Sequence, residues 1–217
     1  MPRARNAIRR RVPKQERSRR LVEAIVEAAR ILLAESGAEA LTTVNVAQRA
    51  GVSVGSLYQY FAGRDALLFA LYEDEVTRFR SAWRAWRSDA SPHTTRDRIG
   101  AGLSLTLAHY RRLAALEPAF FLAHREEIVR GSRAARGKRP RAVARVVSRD
   151  DVLRARGILR PERLERADVA SFLMTHGVPG ILDAALANEP AILAAPEFEA
   201  ELHALVAGYL LGTPSAS

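Results

Sequence analysis

Apolar side chains recur along this chain at the spacing of one helix face. Leu21, Ile25, Ala28 and Leu32 follow that period, and Gly37 supplies a stop signal behind them. A longer stripe runs through Leu68, Tyr72, Val76, Phe79, Trp83 and Trp86 and ends before Ser91 and Pro92. Ile99, Leu103, Leu107, Tyr110 and Leu113 form a third, stopped near Glu117 and Pro118. Phe198, Leu202, Leu205 and Tyr209 form another after Pro196. The segment from Ala170 to Leu186 is apolar on more than one face, which predicts burial from two sides, and Pro179 with Gly180 should kink or divide it. No period-two run predicts a strand, and no internal repeat is present. The pattern predicts an all-α fold.

The 217 residues suffice for one large domain or for a small domain with a larger one, and 48% hydrophobic content suffices for a core. The absence of cysteine excludes a disulfide framework, a thiolate metal site and a cysteine nucleophile. No apolar run reads as long enough to span a bilayer, and Glu23, Glu27 and Arg30 interrupt the first apolar stretch, so it cannot be a signal-peptide core. The expectation is a cytoplasmic protein with no membrane partner. Connections are expected at Gly37–Ala40, Ser88–Thr94 and Gly131–Pro140.

The net charge of +10 is concentrated in two places. Residues 1–20 carry nine Lys/Arg and one acid, and residues 128–149 carry eight Lys/Arg and none, which leaves the remainder acidic. Such a distribution points to local contact with a polyanion, the alternative for each segment being a solvated tail or loop.

Between residues 43 and 62 the chain reads TVNVAQRAGVSVGSLYQYFA. Two short helices around a tight turn account for the pattern. Ala47 is small where they cross, Gly51 can take a left-handed turn, and Val46, Ala50, Val52 and Leu57 can hold the pair together. Thr42 or Thr43 can cap the first helix and Ser53 the second. The second helix opens with small and polar residues, Val54, Gly55 and Ser56, followed by Tyr58 and Tyr60. That profile suits a helix that enters the major groove by its N-terminus.

Together with the apolar helix Leu21–Ser36 and the run from Gly55 to Leu68, this segment resembles the helix-turn-helix of the tetracycline-repressor (TetR) family of bacterial transcriptional regulators. The resemblance covers about residues 15–72. It implies a basic flexible arm (1–14), a DNA-binding domain (15–63) and a helical ligand-binding and dimerisation domain (64–217). It implies DNA contacts from Thr43, Ser53, Gly55, Ser56, Tyr58, Tyr60 and Arg64, where Arg64 stands in the place of a commoner Lys. Ser56 and the Gln59–Tyr60 pair also depart from the usual residues, so no operator sequence carries over. Packing competes with DNA contact at Tyr58 and Tyr60. From the basic start, Arg17 and Arg19 join the expected contacts, since they fall in the first turns of a helix.

The stretch Gly51 to Gly55 also spells G-x-S-x-G, the nucleophile elbow of α/β-hydrolases, but that elbow needs a strand before the serine and a Ser–acid–His order after it. The five histidines show no metal-binding spacing. No catalytic set, metal or cofactor is therefore expected.

The resemblance implies a homodimer on double-stranded operator DNA, most simply a repressor released by a small molecule; an activator or an architectural basic DNA-binding protein is the alternative. The late apolar helices, about 164–188 and 196–211, are the expected dimer elements, with Phe172, Gly177, Ile181, Leu202, Leu205, Val206 and Tyr209 at the interface unless they face the protomer's own core. A ligand pocket is expected from Phe79, Trp83, Trp86, Thr106, His109, Tyr110, Phe120, Phe121, His124, Phe172 and Thr175, aromatic walls with a few polar groups.

Overall fold

The computed structural model describes residues 16–89, 95–134, 163 and 165–211. Among them there is no β-strand. The helices are α1 (Glu16–Ser36), α2 (Thr43–Arg49), α3 (Val54–Tyr58), α4 (Arg64–Ser88), α5 (Thr95–Ala114), α6 (Pro118–Ala134), α7 (Ala167–Asn188) and α8 (Pro196–Leu210), with 3-10 turns at Ala38–Ala40 and Pro190–Ala194. The all-α expectation is met. The arm 1–14 and residues 135–149 of the second basic segment lie outside the described residues. The connection expected from Gly131 begins later, because α6 continues to Ala134.

These residues pack as two compact units. The first comprises 16–77 and 115–134, and the second comprises 78–89, 95–114, 163 and 165–211.

In the first unit, α1 buries Val22, Ile25, Ala28, Ala29 and Leu33 against α2 and the turn that precedes it. Gly37 ends the helix with φ 76° while its N–H donates to the Leu33 carbonyl at 3.1 Å, a left-handed C-terminal stop. Leu41, Val46, Ala47, Leu57 and Phe61 are fully buried and close the core from the other side. Two ion pairs tie α1 to its neighbours. Arg49 of α2 reaches both carboxylate oxygens of Glu35, at 2.7 and 3.0 Å, and Arg30 reaches Asp74 of α4. Further along, Phe69 and Tyr72 of α4 pack on Phe120, Phe121 and His124 of α6, with ring centroids 5.0–6.1 Å apart.

In the second unit, α5 packs on α7, α8 and the 3-10 turn between them. Leu103, Leu107, Val178, Leu182, Leu186, Leu193, Leu202, Val206 and Leu210 fill the space. Polar anchors set the register. The Tyr110 hydroxyl donates to Asp183 at 2.7 Å, and Arg111 donates to the Leu193 carbonyl at 2.6 Å and to Glu199 at 2.9 Å. The Ser104 hydroxyl holds the Glu199 carboxyl below its ordinary pKa, with Arg111 assisting and burial opposing. Pro179 does not divide α7, which runs unbroken to Asn188. This helix also corrects the expectation on membrane spans: an 18-residue window of α7 has mean hydropathy 1.3, long and apolar enough by composition to cross a bilayer, and 44% of it is buried in the protomer.

The turn between α2 and α3 depends on Gly51 at φ 68°, which costs a side-chain-bearing residue about 1–2 kcal/mol. Gly51→Ala should lower the stability of the chain by about that amount in chemical denaturation. Gly63→Ala, at a position with open space and no left-handed φ, should change it by less than about 0.5 kcal/mol.

Candidate nucleic-acid interface

A helix of five residues such as α3 needs outside help to form, and its neighbours supply it. Ser53 caps it, its Oγ accepting from the Ser56 N–H at 3.0 Å and lying 2.8 Å from the Ser56 hydroxyl. Thr42, not Thr43, is the cap of α2 and accepts from the Asn45 N–H at 3.1 Å, while the Asn45 amide donates to the Ala40 carbonyl. That leaves the Thr43 hydroxyl on the outside, 3.2 Å from the Tyr58 hydroxyl. The two expected contact residues thus join the start of α2 to the end of α3 across one face. Ser53 and Gly55 are exposed beside them, Ser56 is half-buried, and Tyr58 is 39% exposed. Ser53 follows a helix and a turn, so the strand-fed geometry of a nucleophile elbow is not built here.

Two expected contacts are placed differently. Tyr60 is 6% exposed, because α3 has already ended and the chain turns inward through Tyr60 and Phe61, both of whose N–H groups bond to the Leu57 carbonyl. Its ring belongs to the core. Arg64, at the first position of α4, donates to the Ala38 carbonyl at 3.2 Å and pairs with Glu117, which immediately precedes α6. The Glu117 N–H in turn donates to the Tyr72 hydroxyl at 2.7 Å. Burial drives the Tyr72 phenol far above its ordinary pKa, the hydrogen bond from Glu117 pulling the other way. Arg64 thus joins the helix-turn-helix to α6. Arg17 is exposed on α1, and Arg19 shares the Glu16 carboxylate with Arg20 at 3.3–4.0 Å. Unpredicted on this face is Val44, 57% exposed on α2, whose only signal is its position next to Thr43.

The residues expected to line one pocket fall in different units. Phe120, Phe121 and His124 belong to the first, where they pack around Tyr72. Phe79, Trp83, Trp86, Thr106, His109 and Tyr110 form a cluster in the second. Phe79 stacks on His109 at 4.2 Å, Trp83 lies 4.7 Å from Trp86, and the Thr106 hydroxyl donates to the Gly102 carbonyl. Trp83 is 4% exposed, and its buried indole N–H has no acceptor among the described residues. Thr175 is buried on α7. Phe172, by contrast, is 62% exposed and points away from that cluster's core.

Among the expected dimer residues, Leu202 and Val206 are corrected to the protomer's own core, since they are almost fully buried under α5. Tyr209 is half-buried under the Arg163 guanidinium, 4.0 Å from its ring centre. Phe172, Gly177, Ile181 and Leu205 are exposed. Val169 and Leu173, which no sequence signal singles out, extend the exposed apolar stripe of α7.

A capped, outward-facing second helix on a three-helix core defines a helix-turn-helix DNA-binding regulator. Residues 25–71 match the model of the bacterial regulatory proteins, tetR family. Among solved structures it is similar to the fatty acid degradation regulator FadR from Bacillus halodurans, at 17% identity over 90% of this chain and 96% of that one, with a TM-score of 0.54. It is similar also to a protein whose structure is described as the molecular basis for control of antibiotic production by bacterial hormones, at 20% identity over 91% and 100% of the two chains, with a TM-score of 0.57. At these identities the likeness is one of fold. No curated protein matches the sequence.

If Arg64 and Glu117 act as a pair, the double mutant Arg64→Ala/Glu117→Ala should be more stable than the sum of the single losses predicts. At this partial exposure the coupling should be on the order of 1 kcal/mol in a double-mutant cycle read by thermal denaturation.

Proposed function

We propose that this chain is a homodimeric, sequence-specific DNA-binding repressor of the cytoplasm, with no enzymatic activity, released from its operator by a small molecule. The observation that carries the reading is the exposed face formed by Val44, Ser53, Gly55 and Tyr58, with the half-buried Thr43 hydroxyl beside that of Tyr58, a face built by caps and a turn. Small residues at the start of α3 let its N-terminal N–H groups approach a phosphate, and the hydroxyls can meet base edges. Arg17 and Arg19, with the arm 1–14, would add sequence-independent phosphate contacts. In this reading 15–63 binds DNA, and 64–217 dimerises and takes the effector. The activator and architectural readings share the same DNA face and differ in the consequence of binding.

The dimer rests on α7 and α8. Val169, Phe172, Leu173, Gly177 and Ile181 make one exposed stripe on α7, and Leu205 is exposed on α8 at 56%. A contiguous apolar stripe of this kind in a soluble chain calls for a partner, and a second copy presents the same stripe by two-fold symmetry. The effector reading rests on the Phe79–Trp83–Trp86–His109 cluster. A buried donor without an acceptor costs about 1–3 kcal/mol, and a ligand acceptor at Trp83 would remove that cost. Such a ligand would favour one arrangement of the dimer and shift its population off the operator.

Fluorescence anisotropy with the DNA upstream of the chain's own gene, against a scrambled duplex at ~150 mM salt, should give a specificity ratio of ~10³ or more. Tyr58→Ala should reduce specific affinity by about tenfold while leaving non-specific binding in place. Equal binding to both duplexes, unaffected by Tyr58→Ala, would instead favour the architectural reading.

Sedimentation velocity tests the dimer separately. Phe172→Glu or Leu205→Glu should convert a dimer to a monomer at micromolar concentration, since each would bury an unpaired charge in the proposed interface. The core position Leu202 should not behave this way, because its loss unfolds the unit instead of parting two copies.

A further inference from the structure

The second unit holds a cleft of about 270 Å3 between the first turns of α5 and the last turns of α8. Ile99, Gly100 and Leu103 line it from α5, Ala204 and Ala207 from α8, and Leu211 from just after α8. Among the described residues its polar side chains are Arg96 and His203. None of these residues belongs to the Phe79–Trp83–Trp86 cluster, so the cleft is a separate place in the same unit.

The chemistry of the two polar groups differs. Ser104 has one hydroxyl proton and gives it to Glu199 at 2.9 Å, so its oxygen receives the Nε2–H of His203 at 3.3 Å. That bond orients the imidazole, and its other edge, Cε1 and Nδ1, lies beside Gly100, where a Cβ would stand 3.5 and 3.7 Å away. Glu199 accepts from Ser104 and Arg111 and lies 3.9 Å from His203 Nε2, and Asp97 stands next to Arg96 in the first turn of α5. Arg96 is exposed and has no ion-pair partner among the described residues. It also sits in the first turn of α5, where the helix dipole adds to its positive charge.

We propose that this cleft binds a small monocarboxylate with an apolar tail. The tail lies along Ile99, Leu103, Ala204, Ala207 and Leu211, and the carboxylate stays at the mouth on Arg96. An exposed Arg suits that arrangement, because the anion remains hydrated on one side and no charge is buried. A single guanidinium at the mouth matches a single carboxylate better than a doubly charged phosphate, which needs several donors. At ~30 Å3 per group the volume holds about nine, room for the seven-carbon tail of an eight-carbon carboxylate whose charged end stays at the mouth.

Octanoate is the probe, and octan-1-ol is its uncharged counterpart of the same length. Isothermal titration of the full-length protein should show octanoate binding about tenfold more tightly than octan-1-ol, and Arg96→Gln should erase that difference. Ala207→Met, which fills the cleft without adding charge, should abolish binding of both. Failure of octanoate to bind, equal binding of the two probes to the unaltered protein, or an Arg96→Gln variant that still prefers octanoate would each overturn the proposal. If Trp83→Phe rather than Arg96→Gln removes octanoate binding, the probe occupies the aromatic cluster, and the cleft proposal falls while the effector reading stands. The proposal does not rest on operator binding, so a chain that fails the anisotropy test can still pass this one.

Discussion

Leu57 has no exposed surface, and through it a five-residue helix is held to the rest of the first unit. A helix that short is far below the ~12–15 residues at which an isolated helix becomes even marginal in water. The outward-facing residues of α3 therefore have no shape of their own. They take it from the Leu57 anchor, from Ser53 at the N-terminus, and from the chain reversal at Tyr60 and Phe61 that closes on the Leu57 carbonyl. The same dependence explains the composition of the outer face. Because the inner side does all the holding, Gly55, Ser56 and Tyr58 are free to be small, polar or aromatic without loss of fold.

A second constraint lies where α4 begins. Arg64 satisfies the Ala38 carbonyl and Glu117 at once, and Glu117 uses its backbone N–H on the buried Tyr72 hydroxyl. The turn before α2, the start of α4 and the start of α6 thus share one set of polar contacts. For Arg64 to reach a phosphate instead, Glu117 and the Ala38 carbonyl would have to find other partners. That exchange is unfavourable at partial burial, where an unpaired carboxylate loses more than an exposed ion pair gains. Phosphate contact from this region falls more naturally to the exposed cations of α1.

The parts of this arrangement that are local in sequence are legible in it. Gly51, the Ser53 cap, the Leu57 anchor and the exposed Tyr58 follow from residue type at fixed spacing within a few turns. The pairing of Arg64 is not legible, because its partner lies 53 residues away and no periodicity links the two. Tyr60 is misread when the helical count is carried past the end of α3, where the chain turns inward. The dimer residues divide for a related reason. Leu202, Leu205 and Val206 all look alike on α8, and only the position of α5 decides that Leu202 and Val206 face inward while Leu205 faces out. The pocket residues divide because a set of aromatics along a chain gives no grouping in space: Phe120 and Phe121 pack in one unit, and Phe79 and Trp83 in the other.

The composition of α7 admits two readings, lipid or protein, and its packing separates them. One side carries Ala170, Met174, Val178, Leu182 and Leu186 into the core of the second unit, and the Tyr110 hydroxyl fixes Asp183 on that side. A helix anchored in this way to α5 presents only half its surface, too narrow a face for a span that must satisfy hydrocarbon all round. The remaining half is the stripe from Val169 to Ile181, which includes Gly177 and Gly180 with open space where each side chain would be. Small residues between large apolar ones let a second helix approach closely and let Phe172 and Ile181 interdigitate with it. A stripe with that alternation is shaped for another helix, which is why the proposed pairing puts a second copy of α7 there.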